Sequence, residues 1–363
     1  MKFNIDSYIR NDVKSISRQN SNFERKQFLR MDKNENLFDL DMINQKELQA
    51  LVTSDLISSY PNLDHLYARI STFFGVDTNT VLLTAGADAA IKSVYETFVN
   101  RGDQVILPEY SYGMHQVYMN QFGAKATRIM FDKDLSLTSQ QIENIDKKIK
   151  LVFLESPSGS SGISIKEINI QNLAKRLIDL ETLLVVDETY SPIVSDYLSA
   201  TVFQNNSNLL AIRSFSKNIG LAGLRVGMIM GNKQSISWLK LIKPMYEINS
   251  FAASVLDFYL TNSDVLMRYR EQIAASRTVV AANIDNDEFD VIFGDANFFL
   301  LKPKHKKSIT LNLFLQNNGI LIKDQFRVGS LEGYFRITFA SEKITDNLIS
   351  LLHNYATLPA FEM

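Results

Sequence analysis

Short apolar runs recur along the first two thirds of the chain, each followed by a polar turn and then by residues at helical spacing. The runs are 81–84, 105–107, 151–154, 183–186, 209–212 and 226–230, built from aliphatic and β-branched side chains with few polar interruptions. Runs this short and this continuous predict strands buried on both faces. Between them, Leu63, Leu66, Ile70, Phe73 and Phe74 recur at helical spacing. So do Ala89, Ala90, Ile91, Val94, Tyr95 and Phe98, and further helices are expected from about Met114 and over 170–180. Strands alternating with helices predict an α/β unit with a mostly parallel sheet between helical layers. In such sheets function gathers at the carboxyl ends of the strands.

After Pro244 the pattern changes. One long helical stretch is expected over 251–283, strand-like pieces at 290–293, 298–302, 320–323 and 335–339, and a closing helix at 342–356. That is a smaller α+β unit. Residues 1–45 are polar and rich in asparagine. The expected organisation is therefore an arm with part of the small domain over 1–45, a large domain over 46–245 and a small domain over 246–363. No internal repeat, low-complexity segment or long linker interrupts it.

Composition narrows the chemistry. The 363 residues contain no cysteine, which excludes disulfides, thiolate metal sites and cysteine nucleophiles. The four histidines (His65, His115, His305, His353) show no metal-ligand spacing. A net charge of −2 argues against nucleic acid or an anionic membrane as the main partner. No apolar run is long enough to span a bilayer, and the first residues lack a signal core, so the expected location is cytoplasmic.

One stretch between two apolar runs, 214–227, carries Ser214, Ser216, Lys217, three glycines and Arg225. A lysine at the edge of a buried region has a depressed pKa and a nucleophilic amine. Two hydroxyls and an arginine can surround a phosphate. A reactive amine beside a phosphate cradle suits pyridoxal phosphate, although a lone Ser-x-Ser-Lys is far more often a plain loop. Other strand ends add to it. The turn Gly86-Ala87-Asp88 joins a strand to a helix start, where free N–H groups meet an anion and Asp88 is expected to cap the helix. Asp187 ends an all-apolar strand and needs a partner: a pyridine nitrogen, a helix end or a salt bridge. Tyr190 either reaches the same ring or fills core. Tyr110 either stacks on a cofactor or packs ordinarily. Arg336, within an apolar strand, either meets a substrate carboxylate or is solvated. Lys323 is either a second cation or a surface residue.

Together these residues resemble fold-type I pyridoxal-phosphate enzymes, and most closely the histidinol-phosphate aminotransferase branch of the class I/II aminotransferases. The resemblance runs from Tyr8 to the end of the chain. Arg213-Ser214-Phe215-Ser216-Lys217 and 220–227 match the Schiff-base motif. The resemblance implies that Lys217 bonds the cofactor, that Asp187 meets its pyridinium and that Tyr190 reaches its ring hydroxyl. It implies a phosphate site of Gly86, Ala87, Asp88, Ser214, Ser216 and Arg225, with Tyr110 stacking on the ring. It further implies a homodimer in which Tyr60 reaches the neighbouring cofactor phosphate. Substrate contacts would come from Arg336, Lys323, Tyr8 and Asn34, the last within Lys33-Asn34-Glu35-Asn36. Amino donor and 2-oxo-acid acceptor would be small molecules, and no metal is implied.

Three departures from the family pattern stand out. Gly159-Ser160-Ser161-Gly162 replaces Asn-Pro-Thr-Gly, so the asparagine that would bond the cofactor's ring oxygen is missing; either Tyr190 acts there alone, or Ser158 or Ser160 substitutes by a shift of the loop. Leu37 follows Asn36 in place of proline, and Lys323 stands in place of an arginine for the substrate phosphate. The alternative activity on this scaffold is decarboxylation of a phosphorylated amino acid, as by threonine-phosphate decarboxylase. A non-catalytic binding protein is the third reading, opposed by the intact Lys217 and Asp187.

Overall fold

A computed structural model describes residues 5–14, 16, 24–38, 45–130, 149–191, 198, 200–217 and 219–360. Asn218 of the lysine stretch and much of the expected arm lie outside the described residues. Strands are numbered here in chain order: β1 Leu29–Met31, β2 Val81–Thr84, β3 Gln104–Pro108, β4 Lys125–Ile129, β5 Ile149–Glu155, β6 Leu183–Asp187, β7 Leu209–Ser214, β8 Gly227–Gly231, β9 Phe289–Phe293, β10 Phe298–Pro303, β11 Ile320–Ile322 and β12 Phe335–Thr338.

The main sheet has the order β2-β8-β7-β6-β5-β3-β4. All neighbours pair in parallel except at β8, which runs against both β2 and β7. Alternation along the strands explains why they read as continuous apolar runs. Val152, Leu154, Leu184 and Val186 face one core, with the Asp64–Phe74, Glu167–Asp179 and Ser250–Thr261 helices. Leu151, Phe153 and Val185 face the other, with the Gly86–Phe98, Met114–Phe122 and Lys233–Ile242 helices. Both faces are covered, so neither needs polar side chains. Burying each such Leu, Ile or Val contributes about 1.5–3 kcal/mol, which is why the strands outweigh their short length.

A second core lies under the antiparallel sheet β12-β10-β9 and the two-stranded sheet β1-β11. Leu29–Met31 pairs in parallel with Ile320–Ile322, and Met31 and Phe38 are buried among C-terminal side chains. One expectation needs correction. The helix expected over 251–283 is two, Ser250–Thr261 and Ser263–Asn283, parted at Asn262. The two helices also divide between the cores. The Ser250–Thr261 helix buries Ala252, Val255, Leu256 and Tyr259 in the large core, and Leu266 follows; Tyr269 is the first to join the second core. The helix's apolar face is complementary to the Asp64–Phe74 helix, and that packing decides its membership.

Candidate active site

β2, β3, β5, β6 and β7 all end at one edge of the main sheet, and antiparallel β8 begins there: Gly227 pairs with both Ser214 and Thr84. The edge is the expected place for chemistry in this architecture, and most of the predicted residues gather at it.

An anion cradle forms first. The Gly86–Phe98 helix springs straight from β2, and Ala85 at its N-cap supplies no side-chain acceptor. Its first N–H groups are left for another partner at the positive end of the helix dipole. Gly86 has φ of 82°, and a Cβ on it would stand 2.7 Å from Nη2 of Arg225. A Cβ on Gly227 would stand 2.6 Å from the carbonyl carbon of Gly86. These two glycines let the guanidinium and the β8 backbone lie directly on the helix start. Arg225, itself left-handed at φ 55°, donates from Nη1 to the Ala222 carbonyl at 3.2 Å and, at 3.4 Å, to Ser216 Oγ. Ser214 Oγ accepts from the Ser216 N–H at 3.1 Å, and both serines are buried. Asp88 does not cap the helix as expected. The helix begins two residues earlier, and the Asp88 carboxylate accepts from the Tyr118 hydroxyl at 2.8 Å.

Next to the cradle stand a cation and a carboxylate held apart. Lys217 Nζ donates to the Lys33 carbonyl at 2.6 Å. Burial, followed by the nearby Arg336, pulls its pKa down to about 8. Asp187 is buried, accepts from the Thr189 N–H at 2.9 Å and has no cation partner among the described residues. Burial raises its pKa. The Tyr190 hydroxyl accepts from Asn34 Nδ2 at 3.0 Å. Asn34, fully buried at φ 55°, is fixed by Thr338, whose hydroxyl donates to Asn34 Oδ1 at 3.0 Å, and by the Asn297 amide on its carbonyl. Asn36 lies against Gly220, where a Cβ would stand 2.7 Å from Asn36 Nδ2. The Lys33–Asn36 segment thus reaches the site from the small-domain side, which explains why it carries asparagines in a buried setting.

The substrate-side predictions divide. Arg336 enters from β12, donates from Nη1 to the Gly159 carbonyl at 2.5 Å, and keeps a buried Nε without a partner. Lys323 and Arg336 form an antiparallel bridge, exchanging N–H···O bonds of 3.1 and 3.4 Å. Tyr8 and Tyr60 are on the surface, 72% and 78% exposed. Tyr60 stacks on Tyr246 with ring centroids 4.2 Å apart. Tyr110 turns its hydroxyl to the Val328 carbonyl and accepts from the Leu331 N–H at 3.1 Å, with its ring edge-on to Phe326. Ser158 and Ser160 bond each other at 2.8 Å and, buried, complete the turn of their own loop.

Two features escaped the sequence reading. Glu188 and Arg213 form a buried ion pair of 2.7 Å, and Glu188 also accepts from the Leu198 N–H. This clamp ties the end of β6 to β7. Glu155, at the end of β5, faces Asp187 across the sheet register. The signal for it was present: a lone acid after an all-apolar run, the same pattern that drew attention to Asp187.

Residues 26–352 match the family model for aminotransferase class I and II, and the chain belongs to that family. It is a pyridoxal-phosphate-dependent aminotransferase of fold type I. The chain is 28% identical over 326 residues to the histidinol-phosphate aminotransferase of Thermoanaerobacter sp. (strain X514), covering 88% of this chain and 91% of that one. To the enzyme of the same name from Pelagibacter ubique it is 30% identical, over 79% and 82% of the two chains. The histidinol-phosphate aminotransferase of Sinorhizobium meliloti, solved in complex with pyridoxal-5'-phosphate, superposes with a TM-score of 0.83 at 18% identity, covering 96% and 98%. The L-threonine-O-3-phosphate decarboxylase of Porphyromonas gingivalis shares the fold, with a TM-score of 0.71 at 21% identity over 90% and 99%. Aminotransferases take an amino donor and a 2-oxo-acid acceptor and are typically dimers. No described helix is long and apolar enough to cross a membrane.

The residues present suit the cofactor on physical grounds. The uncapped helix start, with Arg225 laid on Gly86, is a cradle for a dianion. Asp187 is a buried carboxylate that lacks the cation its burial calls for, and a protonated pyridine nitrogen would be one.

Proposed function

We propose that this site binds pyridoxal phosphate through Lys217, Asp187 and the Arg225 cradle, and transaminates a small amine or amino acid bearing a phosphate or a second anionic group. The substrate class follows the relatives named histidinol-phosphate aminotransferase. When bound, the cofactor supplies an aldehyde carbon for exchange with amines and a conjugated ring that takes up electrons from the substrate's Cα.

Each residue then has a task that its surroundings favour. Arg225, the N–H groups at Gly86, Ala87 and Asp88, and the hydroxyls of Ser214 and Ser216 hold the phosphate. The Asp88 carboxylate, committed to Tyr118, orients the helix rather than touching that anion. Asp187 keeps a proton at the pyridine nitrogen. Tyr190, steadied by Asn34, faces the ring hydroxyl. Tyr110 covers the ring, and its hydroxyl ties that cover to the 328–331 loop. With a pKa of about 8, the Lys217 amine can both take a proton from the substrate's Cα and give it back near neutrality. Tyr60, displayed on the surface beside Tyr246, reaches the phosphate of a second subunit; Tyr8 completes the substrate phosphate site.

One observation carries the substrate reading: Arg336 keeps a buried Nε with no partner among the described residues while its backbone pairs with Lys323. A directly opposed antiparallel pair places both side chains on one face, so two cations border one space, and an orphaned guanidinium N–H calls for an anion. The test is turnover of histidinol phosphate against histidinol, with a 2-oxo acid as acceptor and carbon dioxide monitored. The phosphorylated amine should be preferred at least ~10-fold in kcat/KM, about the 1.4 kcal/mol expected of one added charge contact. Equal rates overturn the substrate class. Carbon dioxide released from a phosphorylated amino acid, without amino transfer, overturns the reaction.

A further inference from the structure

The family resemblance sets Gly159 at the loop position of the asparagine that would bond the cofactor's ring oxygen, and the surroundings of Gly159 leave little room for a side chain. A Cβ on Gly159 would stand 3.1 Å from Glu155 Oε2 and 3.0 Å from Cε2 of Tyr190. Glu155 fills the place where such a side chain would begin. Its carboxylate is anchored on two sides: Oε2 accepts from the Gly159 N–H and Oε1 from the Tyr112 N–H, both at 2.9 Å. Glu155 is also the direct register partner of Asp187 on the neighbouring parallel strand. Paired residues on adjacent strands project to the same face, roughly 4.8 Å apart.

We propose that Glu155 takes over the task of the absent side chain at Gly159, donating a hydrogen bond as a neutral acid to the oxygen on the cofactor's ring, beside Tyr190. A carboxylate whose two oxygens already accept N–H bonds has nothing to offer an anionic oxygen. Its protonated form has one O–H to give. The surroundings favour that form. Burial, then the charge of Asp187, raise the Glu155 pKa to about 7 against the pull of the two N–H groups and Arg336. The titratable and charged groups facing it are Asp187 and Tyr190 at the end of β6 and Arg336 from β12. A cofactor that keeps Asp187 anionic and brings an anionic oxygen nearby strengthens the preference for the neutral acid.

This inference rests on Lys217 carrying the cofactor, and the experiment separates the two claims. Purified holoenzyme, Glu155→Ala, Glu155→Gln and Gly159→Asn are titrated from acid to alkaline pH while the visible absorption of the bound cofactor is followed. In Glu155→Ala the ring oxygen loses a donor and holds its remaining proton more tightly. The midpoint should rise by about one pH unit, the size of one charge-assisted hydrogen bond. The amide of Glu155→Gln can still donate, but its NH2 cannot accept the Gly159 or Tyr112 N–H it would face, so its midpoint should lie between those of wild type and Glu155→Ala. Gly159→Asn, combined with Glu155→Ala to clear the space, should restore the wild-type midpoint. A wild-type midpoint in Glu155→Ala overturns the proposal. Should the variants fold poorly, the wild-type holoenzyme suffices: its infrared spectrum should show a protonated-carboxyl stretch, and absence of that band overturns the proposal. A wild-type protein with no visible band overturns the Lys217 assignment, and this inference with it.

Discussion

Two neighbouring acids at the end of β6 meet opposite fates. Glu188 is buried against Arg213, 2.7 Å away, with a backbone N–H on its second oxygen. Asp187 is buried with one backbone N–H and no cation among the described residues. Burial raises the pKa of both, and only Glu188 has an arginine pulling it back. A buried charge costs several kcal/mol unless it is paired. Where the protein supplies the pair, as at Glu188, the carboxylate serves the scaffold. Where it withholds the pair, as at Asp187, the carboxylate suits the ligand role proposed for it. The same contrast separates Arg213, bonded to Glu188 and to the Leu198 carbonyl, from Arg336, whose buried Nε has no partner among the described residues.

The largest effect should come from breaking the compensated pair. Arg213→Met leaves Glu188 buried and alone, and should cost about 3–5 kcal/mol of stability, read from urea unfolding of the cofactor-free protein. Asp187→Asn removes a charge that has no partner, so the cofactor-free protein should lose no stability, while turnover falls about 10²–10³-fold. If Asp187→Asn unfolds as readily as Arg213→Met, the distinction between scaffold and ligand carboxylates fails.

A smaller effect sharpens the contrast through pH. Glu155 holds its proton to about pH 7 in the folded protein, against 4.5 when unfolded. Between those values Glu155 binds more proton in the native state, so its contribution to the stability of the cofactor-free protein falls as pH rises from 4.5 to about 7. Glu155→Gln should flatten that fall. Lys217 acts in the opposite sense. Its folded pKa of about 8 lies below 10.5, so the unfolded state binds more protons between those values and stability rises with pH there. Lys217→Met should abolish that rise, together with the visible absorption of the holoenzyme.

Much of this was readable in the chain because the strands are buried on both faces. Their apolar runs stop at one edge of the sheet, which is why Asp187, Lys217 and the Gly86 turn stood out as candidates. What sequence could not convey is pairing across the sheet. Glu155 ends its run as visibly as Asp187 does, but only the β5–β6 register sets the two acids side by side. The Asp88 expectation failed for a related reason: an aspartate near a helix start reads as a cap, and only the fold shows the Tyr118 hydroxyl waiting for it. The core to which the Ser250–Thr261 helix belongs is hidden in the sequence because the helix is apolar enough to suit either unit, and its packing on the Asp64–Phe74 helix decides.

The smallest effect tests whether the contrast extends to the substrate. Lys323 is exposed, and it stands beside Arg336 only through their backbone bridge. Lysine offers a point charge where arginine offers a fork, so Lys323→Ala should remove attraction equally from bound substrate and transition state. KM for a phosphorylated amine should rise about 5–10-fold with kcat unchanged. The loss should shrink with added salt, because the charge is screened by solvent. Arg336, with its partner-less buried Nε, differs: Arg336→Ala should lower kcat as well, since it also releases the Gly159 carbonyl and with it the loop over Glu155. Equal losses in both variants, all in KM, would place Lys323 and Arg336 on the same footing and confine the protein's withheld partners to the cofactor side.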